Sequence, residues 1–185
     1  MASAAADNAR CPHCLYRACL CAEIPKIATR THIVIVRHRA EHHRSSNTGR
    51  LAHAALPNST LIEYDSEPLP ALAGAWLLFP QGEPAHAAPS PPPAHLIVLD
   101  ATWSQARRMY RKLDALRGMP TLRLPDTPMP AARLRDSPGP GRVSTIEAVA
   151  RALRLLEGDV VAAPLEALFA IAVARAAASG RNIAR

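Results

Sequence analysis

Four short stretches of this chain hold side chains whose types and spacing suit chemistry. "CPHCLYRACLC" sets Cys11, Cys14, Cys19 and Cys21 in a C-x2-C-x4-C-x-C pattern. Two close pairs a few residues apart can wrap one tetrahedral zinc, with sulfur about 2.3 Å from the metal. Four cysteines close such a site, so its role is structural, and His13 inside the knuckle is a surplus donor. Free thiols or an iron–sulfur cluster are the alternatives.

"LIVLDATWSQARRM", Leu96 to Met109, runs four apolar residues into Asp100, then Thr102 and Trp103, then Arg107 and Arg108. Ligands of open α/β sheets bind beyond the carboxyl ends of strands, where helix N-termini offer unpaired backbone donors. Asp100 stands at such an end. A purely structural account competes: Thr102 with Gln105 spells a capping box, and Trp103 suits a core. "GRVSTIE" carries the same ambiguity. Ser144 and Glu147 form a second capping-box pair, while "GPGR" brings two glycines and Arg142 to that helix start. Neither G-x-G-x-x-G nor G-x-x-x-x-G-K-[ST] occurs, which argues against a dinucleotide fold of the usual kind and against a P-loop.

A fourth stretch, "RHRAEHHRSSNTGR", packs Arg37, Arg39, Arg44 and Arg50 around His38, His42 and His43. It lacks the i, i+4 histidine pair of the zincin motif. A basic loop that meets phosphate is the preferred reading, with a solvated surface as the alternative.

The elements that must position these residues follow from hydrophobic period. "THIVIVRH", "STLIEY", "AWLLFP", "HLIVLD" and "TLRLP" read as strands, the first and fourth apolar enough to be covered on both faces. "NTGRLAHAAL" reads as a short helix. Trp103, Ala106, Tyr110 and Leu113 recur at helical spacing, leaving Arg107, Arg108, Arg111 and Lys112 on the outer side. A helix opening near "STIE" stops at Gly158, and a last one starts near Pro164 and buries Leu165, Leu168, Phe169 and Ala172. "PAHAAPSPPPAH", with five prolines in twelve residues, and "DTPMPAARLRDSPGPGRV" are loops. Alternating strands and helices predict an α/β domain with a largely parallel sheet flanked by helices. Residues 1–10 read as a disordered tail, 11–25 as the cysteine segment and 26–185 as the α/β domain.

With 185 residues the chain suits one such domain. Its formal charge is +7, and only Lys26 and Lys112 among 22 basic residues are lysine. Arginine's planar fork binds phosphate oxygens bidentately, which favours a nucleic-acid partner, although nucleotide bias in a gene also enriches arginine. No run of 18 apolar residues and no basic-then-apolar start is present, so the expectation is a cytoplasmic protein without a membrane partner. Clustered cysteines in a reducing compartment then point to metal.

Five of these motifs in this order, the cysteine pattern, "NTGRL", "LFP", "LDATW" and "GRVSTIEA", resemble the DTW-domain family of tRNA-uridine aminocarboxypropyltransferases. The resemblance implies transfer of the 3-amino-3-carboxypropyl group of S-adenosylmethionine to N3 of a tRNA uridine. It also implies a SPOUT-like fold with a C-terminal trefoil knot. Carried onto this sequence, it suggests Asp100 as general base, with Thr102 and Trp103 shaping the catalytic site. Phe79, Pro80, Gln81, Gly82, Leu99, Arg142, Val143, Ser144, Thr145 and Glu147 are the implied cofactor-binding residues. Arg37, Arg44, Asn47, Arg50, Arg107, Arg108 and Arg111 are the implied RNA contacts. A SPOUT-type RNA methyltransferase and a non-catalytic, zinc-dependent RNA-binding protein are the competing expectations.

Overall fold

The computed structural model describes residues 10–66, 68–126 and 143–179. Five strands and four helices follow one another as β1 (His32–Arg37), α1 (Thr48–Ala55), β2 (Ser59–Glu63), β3 (Ala75–Leu78), β4 (His95–Asp100), α2 (Trp103–Lys112), β5 (Thr121–Leu122), α3 (Thr145–Glu157) and α4 (Asp159–Ala178). The strands form one sheet in the order β2-β1-β4-β3-β5, and every neighbouring pair is parallel. The apolar runs of β1 and β4 occupy adjacent central places, as strands buried on both faces must.

Side chains alternate across the sheet and divide the core in two. Ile33, Ile35, Leu96 and Val98 pack under α1, α3 and α4 through Leu51, Ile146, Val149, Leu153, Leu165 and Leu168. Val34, Val36, Leu77 and Ile97 face the opposite way, against Met109 of α2 and Leu116. The chain therefore leaves β1 toward one face through α1 and leaves its neighbour β4 toward the other through α2. The carboxyl ends of parallel strands are the usual ligand position in open α/β sheets.

Both capping boxes form. Thr102 accepts from the Gln105 amide at 3.4 Å while its own amide donates to Gln105 Oε1 at 2.9 Å. The Ser144 amide and hydroxyl both donate to Glu147 Oε2, at 2.9 and 2.7 Å. Such caps stabilise a helix start by about 1 kcal/mol each. At its other end α3 stops at Gly158, whose φ of +98° lies in a region that disfavours L side chains. Glu157 then receives the amides of Arg30 (2.9 Å) and Thr31 (2.8 Å), fastening α3 to the start of β1.

The last helix begins at Asp159, five residues before the proline that the sequence suggested as its start. Pro164 removes only the bond to the Val160 carbonyl, and Val160 is 89% exposed, so the loss falls on the solvent side. By length and composition α4 could cross a membrane. In the fold it lays Leu165, Leu168, Phe169, Ala172, Val173 and Ala176 into the core. Cys14, Tyr16, Leu20 and Ile27 join that same core cluster, so the cysteine segment packs directly on the α/β body. The expected trefoil knot depends on the course of residues 127–142, which lie outside the described residues.

Candidate active site

A cavity of about 180 Å³ opens at the carboxyl ends of β3, β4 and β5. Leu78, Phe79, Leu99, Leu122 and Leu124 make an apolar wall, Trp103 and Ala106 close it from α2, and Thr145, Ala148 and Arg151 of α3 close it with Val143 just before that helix. Charge enters from Arg123, Asp126 and Arg151. Arg123 Nη1 donates to the Gly82 carbonyl at 2.9 Å and Nη2 to Asp126 Oδ2 at 3.3 Å. Phe79 stacks on Tyr110 with ring centroids 4.6 Å apart, which fixes its orientation at the cavity wall.

Asp100 lies beside the cavity, at the end of β4, and is only 3% exposed. Its side chain points to the α1 and α3 face, whereas its neighbours Leu99 and Ala101 line the cavity. Oδ2 accepts from Asn47 Nδ2 at 2.5 Å and Oδ1 from the Thr145 hydroxyl at 2.7 Å. Gly49 lets α1 approach this closely, since a Cβ there would stand 2.4 Å from the Asp100 carboxyl carbon. The Asp100 carbonyl also accepts the His38 amide at 2.9 Å, and the Ile146 amide donates to Thr48 Oγ1 at 3.3 Å. "NTG", "LD" and "STI", distant in sequence, thus meet at one carboxylate held between two helix N-termini, where negative charge is favoured.

The chain as a whole has relatives among known proteins. The DTW domain profile matches residues 8–177. The chain belongs to the DTW domain family. It is 29% identical over 175 residues to tRNA-uridine aminocarboxypropyltransferase 2 of Macaca fascicularis, covering 82% of this chain and 59% of the relative. It is 31% identical over 195 residues to tRNA-uridine aminocarboxypropyltransferase A of Arabidopsis thaliana, covering 83% of this chain and 72% of that one. The chain therefore spans somewhat more than half to about three quarters of the length of these relatives. Among solved structures it resembles the SAM-dependent rRNA:acp-transferase Tsr3 from Vulcanisaeta distributa, with a TM-score of 0.55 and 22% identity over 80% of this chain and 78% of that one. That likeness speaks to the fold.

The family signature of this DTW domain is divided in its uses. Asp100 faces the helix N-termini, Thr102 caps α2, and Trp103 lines the cavity. The Thr102 hydroxyl is hydrogen-bonded to Gln105 Oε1 at 2.7 Å, so it serves the helix and does not line the cavity. Of the expected cofactor residues, Phe79, Pro80, Leu99, Val143 and Thr145 line the cavity. Gln81 and Gly82 do not: their carbonyls brace the wall by accepting from Thr121 Oγ1 (3.0 Å) and Arg123. Ser144 and Glu147 are spent on the cap, and Arg142 lies outside the described residues. Arg123 and Arg151 escaped sequence reading. A signal for the second existed, because Thr145, Ala148 and Arg151 recur every third residue along one stripe of α3.

The expected RNA contacts also divide. Arg107, Arg108 and Arg111 are exposed on α2, next to Trp103, and Arg44 is half-exposed with its guanidinium 3.7 Å from Glu41. Arg37 is buried and donates to Glu63 and, at 3.0 Å, meets His42 Nδ1. Burial would raise Glu63, but hydrogen bonds from Arg37 and His42 outweigh it and hold the carboxyl below its ordinary value. Arg50 donates to the His42 carbonyl, and its Nε is buried with no partner among the described residues. Burial, then the neighbouring Arg37 charge, lower its pKa. Asn47 is buried, capping α1 through the Arg50 amide at 2.8 Å and holding Asp100. Arg37, Asn47 and Arg50 thus turn inward, because β1 ends in a sheet whose neighbours present Glu63 and Asp100 at the same register.

The four thiols gather as the spacing predicts, with all Sγ atoms within 4.8 Å of one another. Cys11 and Cys21 are 3.7 Å apart, Cys14 and Cys19 3.9 Å. A tetrahedron with bonds of about 2.3 Å has edges of about 3.8 Å, whereas a disulfide needs about 2.05 Å, so the cluster fits one zinc and no disulfide. Amides of Cys14 and His13 pull the bare Cys11 thiol down to about 6, while burial and the adjoining thiols push Cys21 up to about 12. A divalent cation would draw all four into the thiolate form. Arg175 of α4 locks the knuckle in place, donating to the Cys19 carbonyl at 2.9 Å and pairing with Glu23.

Proposed function

We propose that this protein is an S-adenosylmethionine-dependent aminocarboxypropyltransferase acting on N3 of a uridine in tRNA. The observation that carries this reading is the cavity walled by Trp103 and α3 and set against the buried Asp100, in a chain whose relatives are named for that reaction. The residues present fit the cosubstrate. Leu78, Phe79, Leu99 and Leu122 offer an apolar face for a purine and thioether, Arg123 and Arg151 offer cations for a carboxylate, and Asp126 offers an anion for an ammonium group. When bound, S-adenosylmethionine supplies an electrophilic methylene beside its sulfonium.

The chain's own part is to orient and to move a proton. Uridine N3 becomes a nucleophile only as its proton leaves, and Asp100, beside the cavity and accepting from Asn47 and Thr145, is the group assigned to receive that proton. Trp103 narrows the mouth so that one carbon of the cosubstrate is aimed at the base. Exposed Arg107, Arg108 and Arg111 on α2, with Arg44, meet tRNA phosphates. The zinc knuckle acts structurally, and α4 serves as a core helix and not as a membrane anchor, in keeping with a cytoplasmic protein.

The test is mass spectrometry of nucleosides from tRNA incubated with purified protein and S-adenosylmethionine. A uridine carrying an added aminocarboxypropyl group, with release of 5′-methylthioadenosine, is expected. A methylated base with S-adenosylhomocysteine would replace this reading with a methyltransferase. RNA binding without either product would leave a non-catalytic RNA binder.

A further inference from the structure

We propose that Thr145 is the residue that touches the nucleophile, relaying its proton to Asp100. This inference rests on the transferase reading above. The Asp100 carboxylate is 3% exposed and does not line the cavity. One oxygen is taken by Asn47, and Gly49 closes the space behind it. Among the described residues, the Thr145 hydroxyl joins the other oxygen to the cavity: Thr145 lines the cavity, is only partly buried, and donates to Asp100 Oδ1 at 2.7 Å. Thr145 is also the only hydroxyl residue among the described residues that line the cavity. It is not needed as a cap, because Ser144 and Glu147 fill that role.

The step balances as follows. Thr145 Oγ takes the proton of uridine N3 as its own hydroxyl proton passes to Asp100 Oδ1. The N3 electron pair forms the bond to the methylene beside the sulfonium, the carbon–sulfur bond breaks, and its pair stays on sulfur as 5′-methylthioadenosine. After product leaves, Asp100 returns its proton through Thr145 to water. The rim carboxylate of Asp126 is the competing acceptor, but it is 80% exposed and paired with Arg123.

Thr145→Val and Thr145→Ser separate these roles, since valine keeps the shape and serine keeps the hydroxyl. Thr145→Val is expected to lower kcat at saturating S-adenosylmethionine by about a hundredfold or more, the scale of a lost acid–base group, with the cosubstrate Kd from calorimetry within about threefold of the parent. Thr145→Ser is expected to recover kcat to within about tenfold of the parent. Retention of kcat by Thr145→Val overturns the relay, as does equal loss in both variants, which would mark the methyl group as what matters. A valine variant that fails to bind S-adenosylmethionine overturns it too, because the residue would then position the cosubstrate. If the parent protein itself releases no 5′-methylthioadenosine from tRNA, the transferase reading fails first and the relay with it.

Discussion

Two arginine-bearing regions of this molecule read alike in sequence and behave oppositely in the fold. The segment from the end of β1 into α1 carries Arg37, Arg44 and Arg50, and α2 carries Arg107, Arg108 and Arg111. The first region ends a strand flanked by Glu63 and Asp100 at matching register, so Arg37 and Arg50 are drawn inside to meet acids and carbonyls. The second lies on a helix whose buried side is already filled by Ala106 and Met109, and its arginines stay in water. A basic run therefore reports a surface only when the element beneath it has other residues to bury.

The contrast can be broken most sharply at Arg37. Arg37→Ala leaves Glu63 with His42 alone and is expected to cost about 3–5 kcal/mol, the range for half of a buried ion pair, at the lower end because Glu63 is 22% exposed and keeps that second partner. Urea unfolding monitored by circular dichroism measures it. Next in size, Arg107→Ala with Arg108→Ala should leave unfolding within about 0.5 kcal/mol of the parent. In RNA titrations at several salt concentrations, the same pair should reduce the slope of log K against log salt by about 1.4 to 1.8. An unchanged slope would remove α2 from the RNA face.

A smaller effect comes from acid. Glu63 is held below its ordinary value of 4.5 in the fold, so its contribution is present above that pH and is lost as pH falls through the lower folded value. The unfolding midpoint of the parent should drop below about pH 4.5 by more than that of Arg37→Ala, in which the larger cause of the depression is gone and only His42 remains. Smallest of all, Arg44→Ala removes a loose 3.7 Å pair between a half-exposed guanidinium and the buried Glu41 and should change stability by about 1 kcal/mol, while its RNA salt slope falls by less than one unit.

Sequence alone carried the strands, the parallel sheet and the cysteine cluster, because each rests on local period or spacing. Pro164 misled the reading of α4, since a proline is tolerated past the first turn where the carbonyl it orphans faces water. The two capping boxes could be read as caps or as ligand sites, and the fold uses Thr102, Ser144 and Glu147 as caps. What stayed illegible was the convergence of Asn47, Gly49, Asp100 and Thr145. None of these residues is unusual alone, and only the crossover through α1 and the return of α3 bring them together. Arg123 was hidden for the same reason, since a two-residue strand leaves almost no period to detect.

The clasp of Arg175 on Cys19 and Glu23 couples regions some 150 residues apart. Cys14 and Leu20 lie in the same core cluster as Leu168 and Ala172. The amides of the knuckle and of α4 should accordingly exchange with heavy water as one cooperative unit. Stripping the metal with a chelator would then speed exchange along α4 while leaving β1 and β4 slow.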